Sequence, residues 1–274
     1  MIKRIDSTDG PRLYEIPDGD DATRQVPSVT TVLGLKAKPQ LIAWAAKVER
    51  QMVVEAAASL YEELPLSPKM SRLAYTDTLI KRIPLVKAHQ LETEKAFEIG
   101  RQVHEMVEHK LRVMMGQVPG EAPVLRQEAA MAYAAWEEWV EEADFVPLHI
   151  EEMLFSQEHG FAGTCDVVAD IHVNGNEVLA VGDWKSSKAV YDEYGLQVAA
   201  YGHALVEMGH AKSMPYGFVA RFPKSKNDAP FETRIWTPSE MTDNLRVFLA
   251  LLHVWNWQHA LDTKKPKRAR KATA

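Results

Sequence analysis

The chain has 274 residues, 46% hydrophobic and 26% charged, an ordinary soluble composition long enough for one large domain or two small ones. One cysteine, Cys165, excludes an internal disulfide and any four-thiolate zinc or iron–sulfur site. The formal net charge is −6, but KKPKRARK at residues 264–271 holds six of the basic residues, which leaves 26 basic against 38 acidic residues over 1–263, a net −12.

No apolar run approaches the roughly 18 residues of a membrane span, so no membrane partner is expected. The N-terminus lacks the apolar core of a signal peptide. Its Asp6, Asp9, Glu15, Asp18, Asp20 and Asp21 are also too acidic for an organellar transit peptide, and a cytoplasmic protein is the default reading. The basic tail reads either as a phosphate-binding or address segment or as a solvated end.

In chain order, RQVPSVTTVLG puts β-branched residues after Pro27, a short strand or turn that leads into a helix around Pro39 to Ala58. Leu41, Trp44, Ala45, Val48 and Met52 are spaced as one helical face. Two prolines in LPLSPKMS and a third at Pro84 interrupt the chain. Helical spacing resumes at about Leu91 and runs to Met115, with Gly116 as C-cap, and a further amphipathic helix spans about Arg126 to Ala143.

The pattern then changes. FVPLHIEEMLFSQ, FAGTCDVVADIHV and EVLAVGDWK read as three successive strands, and the Asn-Gly pair between the last two is a hairpin signal. A helix follows from about Asp192 to Met208, then strands near YGFVARF and FETRIWT. The last helix opens at TPSE, where Thr237 as N-cap, Pro238 at N1 and Glu240 at N3 form a capping box. The expected fold is α/β: a central mixed sheet flanked by helices, behind a helical N-terminal part. The expected division is an N-terminal helical or arch region at 1–90, a core at 91–263 and the basic tail at 264–274.

The chemistry concentrates in VLAVGDWKSSK. Asp183 and Lys185 sit two apart on an apolar strand and so share a face, where an unpaired charge would be costly. Asp166, on the neighbouring strand of the hairpin, can bring a second carboxylate to the same ion. Two acids, a divalent metal and a lysine suit hydrolysis of a phosphodiester. Alone, an aspartate and a lysine two apart also describe an exposed strand-end ion pair, worth at most about 1 kcal/mol.

Gln197 and Tyr201 lie one helical turn apart in YGLQVAAYGHAL, and His104 stands beside the apolar stripe of Ile99, Val103, Met106 and Leu111, with Gly100 one turn earlier. Ser186 and Ser187 have no base placed for serine chemistry and read as loop or phosphate contacts. Trp136, Trp139, Trp255 and Trp257 read as core or as base-stacking groups, and Arg221, Lys224 and Lys226 as a solvated loop or a DNA path.

Together the histidine helix, IEEMLFSQEHGFAGTCDVV, VGDWKSSK and QVAAYGHAL resemble, in order and spacing, the RecB-like branch of the PD-(D/E)xK nuclease superfamily over about Phe97 to Leu205. VPSVTTVLGLKAKPQLIAWA further resembles the start of phage-type and mitochondrial genome maintenance-type exonucleases in that branch. The resemblance implies a restriction-endonuclease-like core and a Mg²⁺- or Mn²⁺-dependent deoxyribonuclease, foremost an exonuclease working from linear DNA ends, single-stranded ends included. Its setting would be phage or bacterial recombination, repair or replication, in the bacterial cytoplasm, with a recombination or replication protein as partner.

By the same resemblance Asp166 and Asp183 are metal-binding acids, Lys185 is the catalytic lysine, and Gln197 and Tyr201 place DNA and the lysine. His104 is a further metal ligand, and Glu151 (or adjacent Glu152) is the acid ahead of the second strand. Relatives that frame an iron–sulfur cluster use four cysteines, so no cluster is expected. Two other functions remain open at this stage: a structure-specific endonuclease on the same core, and a catalytically silent DNA-binding or assembly subunit.

Overall fold

A computed structural model describes residues 2–6, 10–19, 22–36, 39–63, 72–83, 87–223 and 228–264. Residues 265–274 of the basic tail, Lys224 and Lys226 lie outside the described residues.

The hairpin dominates the fold. Strands β4 (Val146–Ser156), β5 (Phe161–Val173) and β6 (Asn176–Ser186) pair antiparallel in succession, and β7 (Tyr216–Phe222) and β8 (Glu232–Trp236) complete a five-stranded sheet in the order β4-β5-β6-β7-β8. Asn174 and Gly175 both have positive φ, 51° and 78°, the conformation a two-residue hairpin turn requires. Among the described strands of this sheet only β6 and β7 pair in parallel, so a crossover must join them, and helix α6 (Asp192–Glu207) supplies it.

Successive residues of β6 point to opposite faces. Trp184 packs among the rings of Trp136 and Trp139 from α5 (Gln127–Glu142) and Phe218 and Phe222 from β7. Asp183 turns the other way, to α6. Opposite Phe218 stands Gly182, where a Cβ would fall on the phenyl ring, so glycine makes room for the aromatic layer. Helix α7 (Pro238–Lys264) closes the α6 side with a stripe of Met241, Leu245, Phe248 and Leu252. It starts on the expected box: Thr237 N–H donates to Glu240 Oε2 at 2.7 Å, and Glu240 N–H to Thr237 Oγ1 at 3.4 Å.

The first 36 residues add a small antiparallel sheet to the helical N-terminal part. They form three antiparallel strands, β1 (Lys3–Ile5), β2 (Leu13–Pro17) and β3 (Thr23–Pro27), and a short helix α1 (Val29–Leu33) capped by Ser28. Tyr14, Ile16 and Val26 alternate inward and close on Ala162 of β5, and Ser28 bridges to the same residue. That apolar seam joins these strands to the core, and the compact units are Met1–Lys36 with Gly100–Ala274, and Ala37–Ile99.

The Ala37–Ile99 unit is helical: α2 (Pro39–Glu63), α3 (Arg72–Arg82) and the first turns of α4 (Ala88–Met114). Arg82 pairs with Glu63, and His89 Nδ1 lies 2.7 Å from Glu49 Oε1. No described helix is long and apolar enough to cross a membrane.

Candidate active site

The register carries three acids into one row. Ile150 pairs with Val167 and Glu152 with Cys165, which sets Glu151 opposite Asp166. Val167 pairs with Gly182, so one step further along the hairpin Asp166 meets Asp183. Glu151, Asp166 and Asp183 thus come from β4, β5 and β6 at one level of the sheet. Glu151 departs from extended backbone with φ of 52°, an uncommon conformation for a non-glycine residue, in a strand whose register also shifts between Pro147 and His149. Of the two adjacent acids, Glu151 lines the pocket, while Glu152 lies 3.7 Å from His149.

The pocket has a volume of about 220 Å³. Besides the three acids, its walls include Lys185, His104, Gln197 and Tyr201. Asp183 is 2% exposed: Oδ1 accepts from Gln197 Nε2 at 2.6 Å, while buried Oδ2 forms an ion pair with Lys185 Nζ but accepts no hydrogen bond. Gln197 Nε2 also lies 3.1 Å from the Tyr201 hydroxyl, which it approaches from one helical turn away. Asp166 Oδ2 accepts from the Trp184 backbone N–H at 2.6 Å. Lys185 Nζ lies 5.3 Å from the centre of the Tyr194 ring.

Close packing holds these groups in place. A Cβ on Gly163 would stand 2.6 Å from Tyr201 Cε1, so glycine lets the tyrosine lie against β5. A Cβ on Gly100 would run into Ser186 Oγ, so glycine there lets α4 come up to the end of β6. One turn on from Gly100, His104 reaches the pocket wall together with Trp184.

The electrostatics describe buried carboxyl groups that repel one another. Desolvation, then the Asp183 charge, pushes Asp166 well above the usual carboxylate range, against Lys185 and the Trp184 N–H. Desolvation, then Glu108 and Asp183, pushes Glu151 up to about 7. Burial works against the Lys185 ammonium, yet Asp183 and Asp166 outweigh it and raise its pKa. Burial lowers that of His104, although Asp183 pulls the other way, which favours the neutral ring. Three carboxyl groups therefore share the pocket with Lys185, and Arg4 and Arg12 also stand on its wall.

Such a set fits a divalent metal. Oxygen donors with one imidazole suit Mg²⁺ or Mn²⁺, and a second cation would relieve the repulsion that raises Asp166 and Glu151. Asp166, Asp183, Glu151 and His104 are the residues that could hold it. The groups of three ligand atoms that lie within 4.8 Å of one another among the described residues are His149–Glu152–His210 and Glu158–His159–His203, and neither belongs to this pocket.

The remaining expectations divide. Ser186 and Ser187 do not line the pocket: Ser186 faces Gly100, and Ser187 Oγ donates to the Ala189 carbonyl at 2.8 Å. Arg221 is fully buried and donates to the carbonyls of Ala229, at 3.0 Å, and Pro230, so it does not line a DNA path. Trp136 and Trp139 are ring-packed inside the α5 layer, whereas Trp257 is 60% exposed. Cys165 is buried and free.

Sequence reading missed Arg4, Arg12 and Tyr14 on the pocket wall. Tyr14 hydroxyl and Thr164 Oγ1 are 3.0 Å apart, 150 residues apart in sequence. The alternation in LYEIP was the available signal, but flanking acids and Pro17 obscured it as a strand.

Several solved structures are similar at low identity. A candidate exonuclease from Eubacterium rectale is 12% identical, with 80% of this chain and 90% of that one covered and a TM-score of 0.37. The alkaline exonuclease LHK-Exo from Laribacter hongkongensis is 11% identical, with 61% and 92% covered and a TM-score of 0.28. SSO0001 is 8% identical, with 74% and 85% covered and a TM-score of 0.23. No curated protein matches the chain. The profile of the PD-(D/E)XK nuclease superfamily matches residues 72–268, which hold Asp166, Asp183 and Lys185, and the chain belongs to that superfamily.

Proposed function

We propose that the protein is a metal-dependent deoxyribonuclease of the RecB-like branch, an exonuclease that hydrolyses DNA phosphodiesters from linear ends. The observation that carries this reading is the row Glu151–Asp166–Asp183 facing Lys185, with Gln197 and Tyr201 fixing Asp183 from α6. A pure binding module would gain nothing from gathering carboxylates where phosphate must come.

In this reading Asp166 and Asp183, with Glu151 and His104, hold Mg²⁺ or Mn²⁺. When bound, the ion supplies Lewis acidity and lowers the pKa of water. Lys185 positions the attacking water and offsets charge on the scissile phosphate as it becomes pentacoordinate. Gln197 keeps the Asp183 carboxylate turned into the pocket and leaves its other oxygen to Lys185. Tyr201 orients Gln197 in turn, and its hydroxyl stays protonated because burial and Asp183 raise its pKa. The Lys185 ammonium stays charged for the opposite reason, being paired with acids. The acidic body then demands a local basic approach for DNA, to which Arg4 and Arg12 on the pocket wall contribute. The setting that goes with this activity is DNA recombination, repair or replication in a phage or bacterial cytoplasm, beside a partner protein of that process.

The test uses matched linear and closed-circular DNA, single- and double-stranded, with Mg²⁺ or Mn²⁺, and with EDTA and Lys185→Ala as controls. Loss of linear DNA alone, dependent on metal and lysine, is the expected result. Cleavage of circles would replace it with an endonuclease. DNA binding without cleavage would indicate a silent subunit.

A further inference from the structure

A second set of metal-ligating groups lies away from the nuclease pocket, where the β4–β5 turn meets α6. Glu158 and His159 belong to the four-residue turn that follows β4, and His203 to α6. One ligand atom from each of the three lies within 4.8 Å of the others. The two imidazole rings are 5.0 Å apart between centres and tilted by 40°. His203 Nε2 is buried and makes no hydrogen bond, standing 3.5 Å from Glu207 Oε2. The other oxygen of Glu207 accepts from the Glu158 backbone N–H at 2.8 Å. The Glu207 carboxylate is thus held beside the group and offers a fourth donor.

A buried ring nitrogen with no hydrogen-bond partner is costly unless something else occupies its lone pair or proton. Burial, then His159, lowers the His203 pKa, while Glu207 and Glu158 pull upward. The neutral, ligating form is therefore the favoured one. The other group, His149–Glu152–His210, has no buried nitrogen left without a hydrogen bond and includes an exposed histidine.

The donor set selects the ion. Two imidazole nitrogens and one or two carboxylate oxygens suit zinc or a similar first-row transition metal, whereas Mg²⁺ prefers an oxygen shell. The nuclease pocket offers the reverse, carboxylates with a single imidazole. We propose that Glu158, His159 and His203, with Glu207 as fourth donor, form a Zn²⁺-class site that pins the β4–β5 turn to α6, the helix that carries Gln197 and Tyr201. Its role is to stabilise, independently of the nuclease metal.

Zinc is titrated into full-length protein carrying Asp166→Ala and Asp183→Ala, followed by calorimetry and thermal melting. Co²⁺ serves as an optical probe, through the intense visible absorption of a four-coordinate complex. Where that background folds poorly, the natural chain in saturating Mg²⁺ replaces it. One equivalent of Zn²⁺ is expected to bind and, at a hundredfold excess over its dissociation constant, to raise the Tm by roughly 5 °C. His159→Gln and His203→Gln should each weaken binding about tenfold or more and abolish the cobalt spectrum. His159 stands on the turn, so its variant gives the answer even if the one at His203 unfolds. In the natural chain, Mg²⁺-dependent cleavage by His159→Gln should match the parent. Absence of a zinc equivalent in the background protein, or one that survives both glutamine variants, overturns the assignment.

Discussion

Gln197 Nε2 donates to Asp183 Oδ1 at 2.6 Å, and that bond links the crossover helix to the strand it follows. Gln197 and Asp183 are 6% and 2% exposed, so the bond is largely buried. Gln197→Ala should cost about 1.5–3 kcal/mol, the range for a hydrogen bond to a charged group. It should also weaken metal binding and cleavage together, because the freed carboxylate can rotate. Chemical denaturation and a metal titration on the same variant check both; unchanged metal affinity would remove Gln197 from the site.

Lys185 and a divalent ion neutralise the same carboxylates. Lys185→Ala should therefore reduce cleavage by about 10²–10⁴-fold, if the ammonium acts on the attacking water. Metal affinity should be retained or should rise, since a competing cation is gone. Single-turnover cleavage paired with calorimetric Mn²⁺ binding separates the two effects.

The raised pKa of Glu151 makes the metal-free protein sensitive to pH. Its ordinary value is 4.5 and its folded value about 7, so between these the folded chain holds a proton that the unfolded chain has released. Stability must then fall as pH rises from about 4.5 to about 7. Glu151→Gln should flatten that part of the slope, and so should saturating Mg²⁺. Urea unfolding in EDTA at pH 5 and pH 8 measures it, and a parent protein more stable at the higher pH would contradict the sign.

Two glycines should respond differently to alanine. At Gly182 a methyl group meets the Phe218 ring in the middle of the aromatic layer, so the loss should be mainly in stability, about 1–3 kcal/mol. At Gly163 it meets Tyr201, whose hydroxyl is bonded to Gln197, so cleavage should fall further than stability does. Melting curves and rates for both variants give the comparison. Equal effects on rate would mean that Tyr201 position does not matter.

Much of the core was legible because it is written in short windows. Asn174–Gly175 sets the β5–β6 turn from within two residues, and the Thr237–Glu240 box starts α7 from within four. Strand alternation alone puts Asp183 and Lys185 on one face, and the α6 spacing puts Gln197 and Tyr201 on another.

What sequence could not supply was the choice among groups that meet only across the fold. Glu151 and Glu152 are equivalent by pattern; the left-handed backbone at Glu151 and the pairing of β4 with β5 turn one into the pocket and the other toward His149. Tyr14 reaches Thr164 over 150 residues, and Arg221, which by pattern could have been a loop cation, is buried against carbonyls from the segment leading into β8. Periodicity reports which face a side chain takes on its own element. Which element covers that face is decided by packing between distant segments, where the free energy of burial is shared by residues with no common local pattern.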